Sequence, residues 1–286
     1  MENYNEKFIR PEKIEITARG VKKGYRFLHI SDAHVAVACE NDSDADKAMA
    51  ERQSKCWSLG ELTSTESFEE MLKYVRYIRP DALLIAGDGV DYFGDANAEY
   101  MKDRLTALEN DGIHTMYAYG NHEGASYREQ IPDYRAYYYL YTDLMGDDPS
   151  FQVMDLGDLI LVSVEDSTRQ ITESQLEKMK AVCAVAKARE ISVILLMHVP
   201  IYCDEIAPRV LKIWGPSFMI GSLAEDSPTV HAFCDLVRAE DTPIAAVLAG
   251  HIHFSQKGLV APGRMQYVSA PAFEGFVYDI TVKGEE

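Results

Sequence analysis

Aspartate, asparagine and histidine recur along the chain in short polar clusters whose side chains could bind metal ions. The clusters are Asp-x-His at 32–34, Gly-Asp-x-x-Asp at 87–91, Gly-Asn-His-Glu at 120–123, a histidine at 198 and Gly-His-x-His at 250–253. They supply seven candidate ligands with only nitrogen and oxygen donors: Asp32, His34, Asp88, Asn121, His198, His251 and His253. A donor set without thiolate suits Mn, Fe, Zn or Co. Seven donors are too many for one tetrahedral zinc ion, but they can hold two neighbouring metal ions if one carboxylate bridges them.

Paired metal ions of this kind can clamp an in-line displacement at phosphorus. Two divalent ions with Asp32, Asp88 and a bridging hydroxide would keep a small positive charge, which attracts phosphate. The whole chain is acidic, with 28 basic and 46 acidic residues and a net charge of −18. That charge opposes binding of a nucleic-acid backbone, so we expect a small phosphorylated substrate, such as a nucleotide, rather than a long nucleic acid.

Each cluster directly follows a short apolar run that predicts a buried β-strand. The predicted strands are residues 25–30, 82–86, 115–119, 191–197 and 244–249. Segments with helical spacing lie between them, at residues 66–79, 96–110, 127–144, 172–189 and 228–240. This alternation predicts an α/β fold with mainly parallel strands, whose carboxyl ends carry the candidate ligands. A hairpin signal over residues 151–164 and short apolar runs over 254–283 predict a second sheet packed on the first.

The chain has no internal repeat and no Pro/Gly/Ser-rich linker, so we predict one domain over residues 1–286. Residues 35–65 and 201–227 are longer than ordinary connections, and each follows a polar cluster, so we expect them to be active-site loops or caps. Arg209, Lys212 and Trp214 in the second segment could select substrate or could simply belong to a solvated loop.

The N-terminal residues, the cysteines and the histidines outside the clusters bear on cellular location and on structural roles. The first ten residues lack an apolar signal-peptide core, and no run of about 18 apolar residues occurs, so we expect a cytoplasmic protein without a membrane partner. The five cysteines are odd in number and contain no Cys-x-x-Cys pair, so we expect buried, inert thiols. The histidines outside the clusters are interpreted as structural or surface residues: His29, His114 and His231. The sequence does not indicate the oligomeric state of the protein.

The order of the five motifs from Asp32 to His253 resembles the calcineurin-like metallophosphoesterase superfamily. The resemblance implies a four-layer α/β/β/α sandwich with two central mixed β-sheets and a centre of two transition metal ions, Mn, Fe or Zn. It implies two ligand groups joined by a bridging Asp88: Asp32, His34 and His253 for one ion, and Asn121, His198 and His251 for the other. It also implies that a metal-bridging hydroxide attacks phosphorus, while His122, oriented by Asp91, stabilises or protonates the leaving oxygen.

Differences from the subfamilies narrow the expected activity. Tyr92 and Tyr119 stand where serine/threonine phosphatases of the superfamily carry arginine. Asp91 and His34 differ from the pattern of purple acid phosphatases. The Gly-Asn-His-Glu motif is similar to that of the bacterial phosphodiesterase-like branch, which includes cyclic-nucleotide phosphodiesterases.

We therefore expect a metal-dependent phosphoric ester hydrolase that prefers phosphodiesters to phosphomonoesters. Two alternatives stay open. One is a phosphomonoesterase or protein phosphatase of the same superfamily. The other is a catalytically silent scaffold, as in the retromer subunit that has this fold.

Overall fold

Two mixed β-sheets form the centre of the fold. The computed structural model describes residues 4–58, 60–127, 134–221, 223 and 226–285. Its strands are β1 (Arg10–Thr17), β2 (Tyr25–Ile30), β3 (Ala82–Ala86), β4 (His114–Ala118), β5 (Phe151–Asp155), β6 (Leu159–Val164), β7 (Ser192–Leu196), β8 (Ile244–Ala249), β9 (Gln256–Ala261), β10 (Arg264–Val268) and β11 (Phe276–Lys283). The first sheet has the order β1-β11-β2-β3-β4, and the second has the order β5-β6-β7-β8-β10-β9.

Helices cover the outer faces of the two sheets. They are α1 (Asp44–Cys56), α2 (Ser64–Ile78), α3 (Asp95–Asn110), α4 (Thr142–Met145), α5 (Glu173–Arg189), α6 (Ala207–Ile213) and α7 (Pro228–Arg238). Short 3-10 helices lie at Tyr134–Leu140, Pro216–Phe218 and Ala272–Glu274. None of the helices in the described part of the chain has the length and apolar character needed to cross a membrane.

Three hydrophobic clusters define four layers. Phe68 of α2 packs with Leu83 in a cluster that joins α2 and α3 to the first sheet. Phe27 and Leu161 belong to a cluster that lies between the two sheets. Phe233 of α7 belongs to a cluster that joins α5 and α7 to the second sheet. The predicted α/β/β/α sandwich with two central mixed sheets is confirmed.

The strands that carry the polar clusters are parallel within each sheet. In the first sheet β2, β3 and β4 run parallel, and in the second sheet β7 and β8 run parallel. All five residues of β3 are buried, as expected for a strand covered on both faces. Since the clusters directly follow these five strands, their side chains start from the carboxyl ends of two packed sheets.

Strand β1 was not expected from the sequence. It pairs in parallel with β11 at the edge of the first sheet, and its residues are mostly exposed apart from Ile14 and Ile16. The prediction of a helix over residues 127–144 lies partly outside the described residues, at 128–133. The described remainder forms a 3-10 helix and then the four-residue helix α4. The buried Tyr141 lies directly before α4.

The expectation of five buried cysteines is wrong for two of them. Cys39 and Cys56 are exposed, while Cys183, Cys203 and Cys234 are buried. Cys39 lies in the loop between β2 and α1, and Cys56 ends α1 on its solvent side. Both therefore belong to surface structure of the long segment 35–65, whereas the three buried thiols pack in the core of the second sheet.

Candidate metal centre

The turns that follow β2 and β3 are held together by main-chain hydrogen bonds. Asp32 N donates to Gly87 O at 3.0 Å, and His34 N donates to Asp88 O at 2.9 Å. Val35 and Val90 then form an isolated parallel bridge. The two turns run side by side beyond the strands, which places Asp32, His34 and Asp88 next to one another.

One group of side chains contains Asp32, His34 and His253. One ligand atom from each lies within 4.8 Å of the others. His34 Nε2 is 3.2 Å from His253 Nε2, and His253 Nε2 is 3.3 Å from Asp32 Oδ1. The turn after β8 thus brings His253, from the second sheet, against the turn after β2 in the first.

A second group contains Asp88, His198 and His251, again with one atom from each within 4.8 Å of the others. His198 Nε2 is 3.1 Å from His251 Nδ1 and 3.2 Å from Asp88 Oδ2. Asn121 Oδ1 is 3.1 Å from the same His198 nitrogen. Asp88 Oδ2 also lies 3.9 Å from His34 Nε2, so this oxygen stands between the two groups.

In Asp32 and Asp88, one carboxylate oxygen accepts a hydrogen bond from a main-chain N–H group, and the other oxygen faces the site. Asp32 Oδ2 accepts from His251 N at 3.0 Å, and Asp88 Oδ1 accepts from His122 N at 2.8 Å. Burial raises the pKa of both carboxyl groups, but the neighbouring histidines, His253 for Asp32 and His198 for Asp88, outweigh it. The net effect lowers the pKa of Asp32 to about 2 and holds that of Asp88 well below its ordinary value.

Partners outside the site determine which histidine nitrogens face inward. His34 Nδ1 lies 2.9 Å from Asp91 Oδ1, and His198 Nδ1 lies 2.7 Å from Ala86 O. Both oxygens are acceptors, so each Nδ1 carries a proton, and Nε2 is the nitrogen of each ring that faces the site and would bind a metal ion. This is the form in which a neutral histidine binds a metal ion.

Two buried carboxylates hold the strand-end turns in place. Glu123 accepts from the main-chain N–H groups of Asp88, Gly89 and Gly120 at 3.1, 2.8 and 2.7 Å, and from the Tyr117 hydroxyl. Asp166 accepts from His198 N at 2.9 Å and from Val199 N at 3.1 Å, and burial raises its pKa to about 7.

Glu123 and Asp166 differ in how readily the sequence reveals them. Glu123 is part of the Gly-Asn-His-Glu motif, so its position next to the site is visible in the sequence. Asp166 was missed, although it follows β6 as the other clusters follow their strands.

His122 lies beside the two groups rather than within them. Its Nδ1 is 2.8 Å from the main-chain oxygen of Asp91 and 3.3 Å from the Asp91 carboxylate, which leaves Nε2 free of this contact. Burial lowers the pKa of His122, but the carboxylates of Asp88 and Asp91 outweigh it and raise the pKa to about 9. The structure therefore brings together the predicted pair, His122 and Asp91, at the edge of the proposed ligands.

The donor set fits metal ions. Asp32 Oδ1 is buried and makes no well-aligned hydrogen bond with any described residue, although His253 Nε2 lies 3.3 Å away. Each of the two groups contains a pair of imidazole nitrogens, 3.2 Å apart in the first and 3.1 Å apart in the second, and no thiol belongs to either group. Unsatisfied buried carboxylate oxygens are rare in folded proteins, and a cation is the partner that oxygen and imidazole ligands favour here.

The motifs and the fold agree with a known family. A profile of calcineurin-like phosphoesterases matches residues 25–255, which include every strand-end cluster. The chain belongs to the calcineurin-like phosphoesterase family. Members of this family are hydrolases that use dinuclear metal centres, and this member has His/Asp clusters that could bind metal ions.

Solved structures show the same fold at low sequence identity. A dimetal phosphatase from Danio rerio has a TM-score of 0.56 at 13% identity, over 87% of this chain and 88% of that chain. A purple acid phosphatase from yellow lupin (Lupinus luteus) seeds has a TM-score of 0.54 at 13% identity, over 90% of this chain and 45% of that chain. No curated protein sequence matches this family member.

An aromatic wall around the centre was not predicted from the sequence. Trp57 stacks on His34, with ring centroids 4.2 Å apart, and Phe218 stacks on His251 at 4.7 Å. Trp214 stacks on Phe218 at 5.2 Å and donates from Nε1 to Ile252 O at 2.8 Å. Residues 35–65 and 201–227 supply these rings; of the second segment, residues 222, 224 and 225 lie outside the described structure.

Proposed function

We propose that this protein is a dinuclear metal-dependent phosphoesterase that hydrolyses phosphodiesters in preference to phosphomonoesters. The observation that carries the proposal is the convergence of two His/Asp groups around Asp88 Oδ2 at the carboxyl ends of two packed sheets. Asp32, His34 and His253 would hold one ion, and Asn121, His198 and His251 would hold the other, with Asp88 shared.

Metal ions held by these residues would supply Lewis acidity, which neutralises phosphoryl oxygens and makes water nucleophilic near neutral pH. The chain supplies the proton. His122, fixed through Nδ1 by the main-chain oxygen of Asp91, presents Nε2 as the atom that can donate to the leaving oxygen. The carboxylate of Asp91 accepts from His34 Nδ1, so one residue positions both a proposed ligand and the proposed proton donor.

The preference for diesters rests on the charge that the chain places near the site. The two positions that carry arginine in serine/threonine phosphatases of the superfamily hold Tyr92 and Tyr119, and both side chains are buried. Neither supplies an added cation for the second negative charge of a phosphomonoester. A diester carries one negative charge and does not need the cations that these two positions supply in those phosphatases.

The proposal is tested with Mn²⁺-loaded protein and two chromogenic substrates, bis-p-nitrophenyl phosphate and p-nitrophenyl phosphate. We expect a higher kcat/KM for the diester. On a diester that releases an alkoxide, which unlike p-nitrophenolate needs a proton to leave, His122→Ala should lower kcat by roughly 10²–10⁴ with metal still bound, as expected for loss of a general acid. An unchanged rate would remove His122 from the mechanism, and a preference for the monoester would make the protein a phosphatase.

Metal content separates the enzyme from a silent scaffold. Asp88→Asn should lose both ions together, measured by plasma mass spectrometry after gel filtration, because its carboxylate would be shared by the two ions. Asp147→Asn is the matched control, since Asp147 is exposed and lies outside both groups. Wild-type protein that retains no metal after purification with Mn²⁺ would favour the scaffold, and loss of a single ion in Asp88→Asn would contradict the bridging role.

A further inference from the structure

A cavity of about 590 Å³ opens beside the proposed metal centre. Its lining includes His253, which reaches the first ligand group, and the charged side chains of Arg10, Glu12, Arg209 and Glu274. The volume is typical of sites that bind small molecules. A substrate with its phosphate near His253 could therefore extend into this cavity.

The carboxylates in the cavity lining already have basic partners. Glu274 Oε2 pairs with Arg10 Nη2 at 3.1 Å, and Glu12 Oε1 pairs with Lys257 Nζ at 2.6 Å. These pairs neutralise one another. The charge balance of the lining is then decided by Arg209, the remaining arginine of the cavity.

The Arg209 guanidinium is oriented but has no anionic partner in the part of the chain that the structure describes. It stacks on the ring of Phe254, with Cζ 3.8 Å from the ring centroid, and makes no hydrogen bond or ion pair with any described residue. Stacking occupies the face of a guanidinium and leaves its in-plane N–H groups free for two parallel hydrogen bonds to an oxyanion. Because Phe254 follows His253 directly, the cation is tied to the turn that carries two proposed ligands.

We propose that Arg209 and this cavity bind a second anionic group of the substrate, a phosphate or a carboxylate, while the reacting phosphate lies at the metal centre. The substrate class is then a phosphoester with a second oxyanion at some distance from the bond that breaks. This inference rests on the proposed function and names its substrate class. It also explains how a chain of net charge −18 can select a multiply charged ligand, because the positive charge of Arg209 acts locally.

Non-hydrolysable alkylphosphonates of equal length test the proposal by calorimetry on Mn²⁺-loaded protein. Their far ends carry a methyl group, a carboxylate or a second phosphonate, and several chain lengths cover the unknown span. We expect a ligand with an anionic end to bind roughly 10-fold or more tightly than its methyl-ended partner. The stronger of the two anionic ends identifies the group that the cavity accepts.

Variants assign the advantage to one side chain. Arg209→Gln should abolish it while the affinity for the methyl-ended ligand stays unchanged, and Arg209→Lys should keep part of it. Lys212→Gln is the matched control, because Lys212 is an exposed cation on the same helix, α6, and does not line the cavity. Equal binding of charged and uncharged ends at every length would overturn the proposal, and so would an advantage that persists in Arg209→Gln.

The two proposals fail in different ways. Calorimetry measures binding without turnover, so a missing anion advantage in protein that hydrolyses bis-p-nitrophenyl phosphate contradicts only the role of Arg209. Absent hydrolysis with a clear, Arg209-dependent advantage contradicts the proposed activity and leaves the binding site in place.

Discussion

Five of the seven proposed ligands have main-chain conformations that side chains rarely adopt. Their φ angles are positive, between 47° and 73°, whereas only three other non-glycine residues of the described chain have positive φ: Arg79, Arg169 and Glu190. Each such residue costs on the order of 1–3 kcal/mol. The five strained residues are Asp32, His34, Asp88, His251 and His253. The strand-end turns are therefore held in shape by their surroundings, above all by Glu123 and the paired turns after β2 and β3.

Gly87 shows how little space these turns leave. Its φ is +78°, and a Cβ atom there would lie 2.5 Å from His198 Nδ1 and 2.9 Å from Gly120 Cα. We expect Gly87→Ala to lower the free energy of unfolding by more than the roughly 1–3 kcal/mol of main-chain strain, because the methyl group must also displace His198. Mn²⁺ affinity should fall with it. Urea denaturation and calorimetric titration measure the two effects.

Gly112 is the control for this substitution. Its φ is +81°, but a Cβ atom there would meet nothing within 4 Å. Gly112→Ala should therefore carry the strain alone and leave Mn²⁺ binding unchanged. Equal destabilisation by the two substitutions would show that crowding around His198 does not limit the turn.

Helix α1 connects the surface of the molecule to the proposed centre. Gln53 Nε2 donates to Asp91 Oδ2 at 3.1 Å, and Trp57 Nε1, just beyond the helix, donates to Asp91 Oδ1 at 2.5 Å. Tyr127 donates to the same oxygen at 3.1 Å. Asp91 in turn contacts His34, so this network determines how one proposed ligand is oriented.

Replacing Trp57 by Phe removes the N–H donor and keeps a ring against His34. We expect Mn²⁺ affinity to fall by about 10-fold, near the lower limit for partners that orient a metal ligand, because Gln53 and Tyr127 still donate to Asp91. Tyr77→Phe is the control: it also removes a polar N–H or O–H donor from an aromatic side chain, but Tyr77 is exposed and its ring contacts Tyr4. Equal losses in the two variants would contradict an orienting role for Trp57.

Elements built from local sequence were predictable, and elements built by distant pairing were not. β3 and β8 have the predicted bounds, because each is a continuous apolar run that ends at a glycine. β1 contains charged residues and becomes a strand only by pairing with β11 at the other end of the chain.

The site follows the same division. Its proposed ligands lie in short motifs directly after strands, where type and spacing are visible in the sequence. Trp57 and Asp166 act through contacts that only the folded chain creates. The only sequence signal for Trp57 is that the chain has just two tryptophans.

At the scale of the whole molecule, His29 joins the two sheets. It is a fully buried residue of β2, and its Nε2 lies 3.2 Å from the main-chain oxygen of Ala249 at the end of β8. Its ring is nearly parallel to that of Tyr278, with centroids 6.1 Å apart, and its Nδ1 has no partner among the described residues. This histidine supports the sandwich as a neutral side chain, in agreement with its interpretation as structural.

Protonation of His29 should therefore weaken the fold in mild acid. Burial lowers its pKa from 6.5 to about 4, against the weaker opposing effect of the hydrogen bond to Ala249. Between these two values the unfolded chain binds a proton that the folded chain does not, so the free energy of unfolding falls as pH falls through the window. The shift corresponds to a loss on the order of 3 kcal/mol.

His29→Gln keeps an N–H donor but cannot titrate, so its urea-denaturation profile should lack this part of the decline. His114→Gln, at an exposed position, should follow the wild type. If His29→Gln and wild type lose stability in parallel between about pH 7 and 4, acid sensitivity arises elsewhere than at the contact between the sheets.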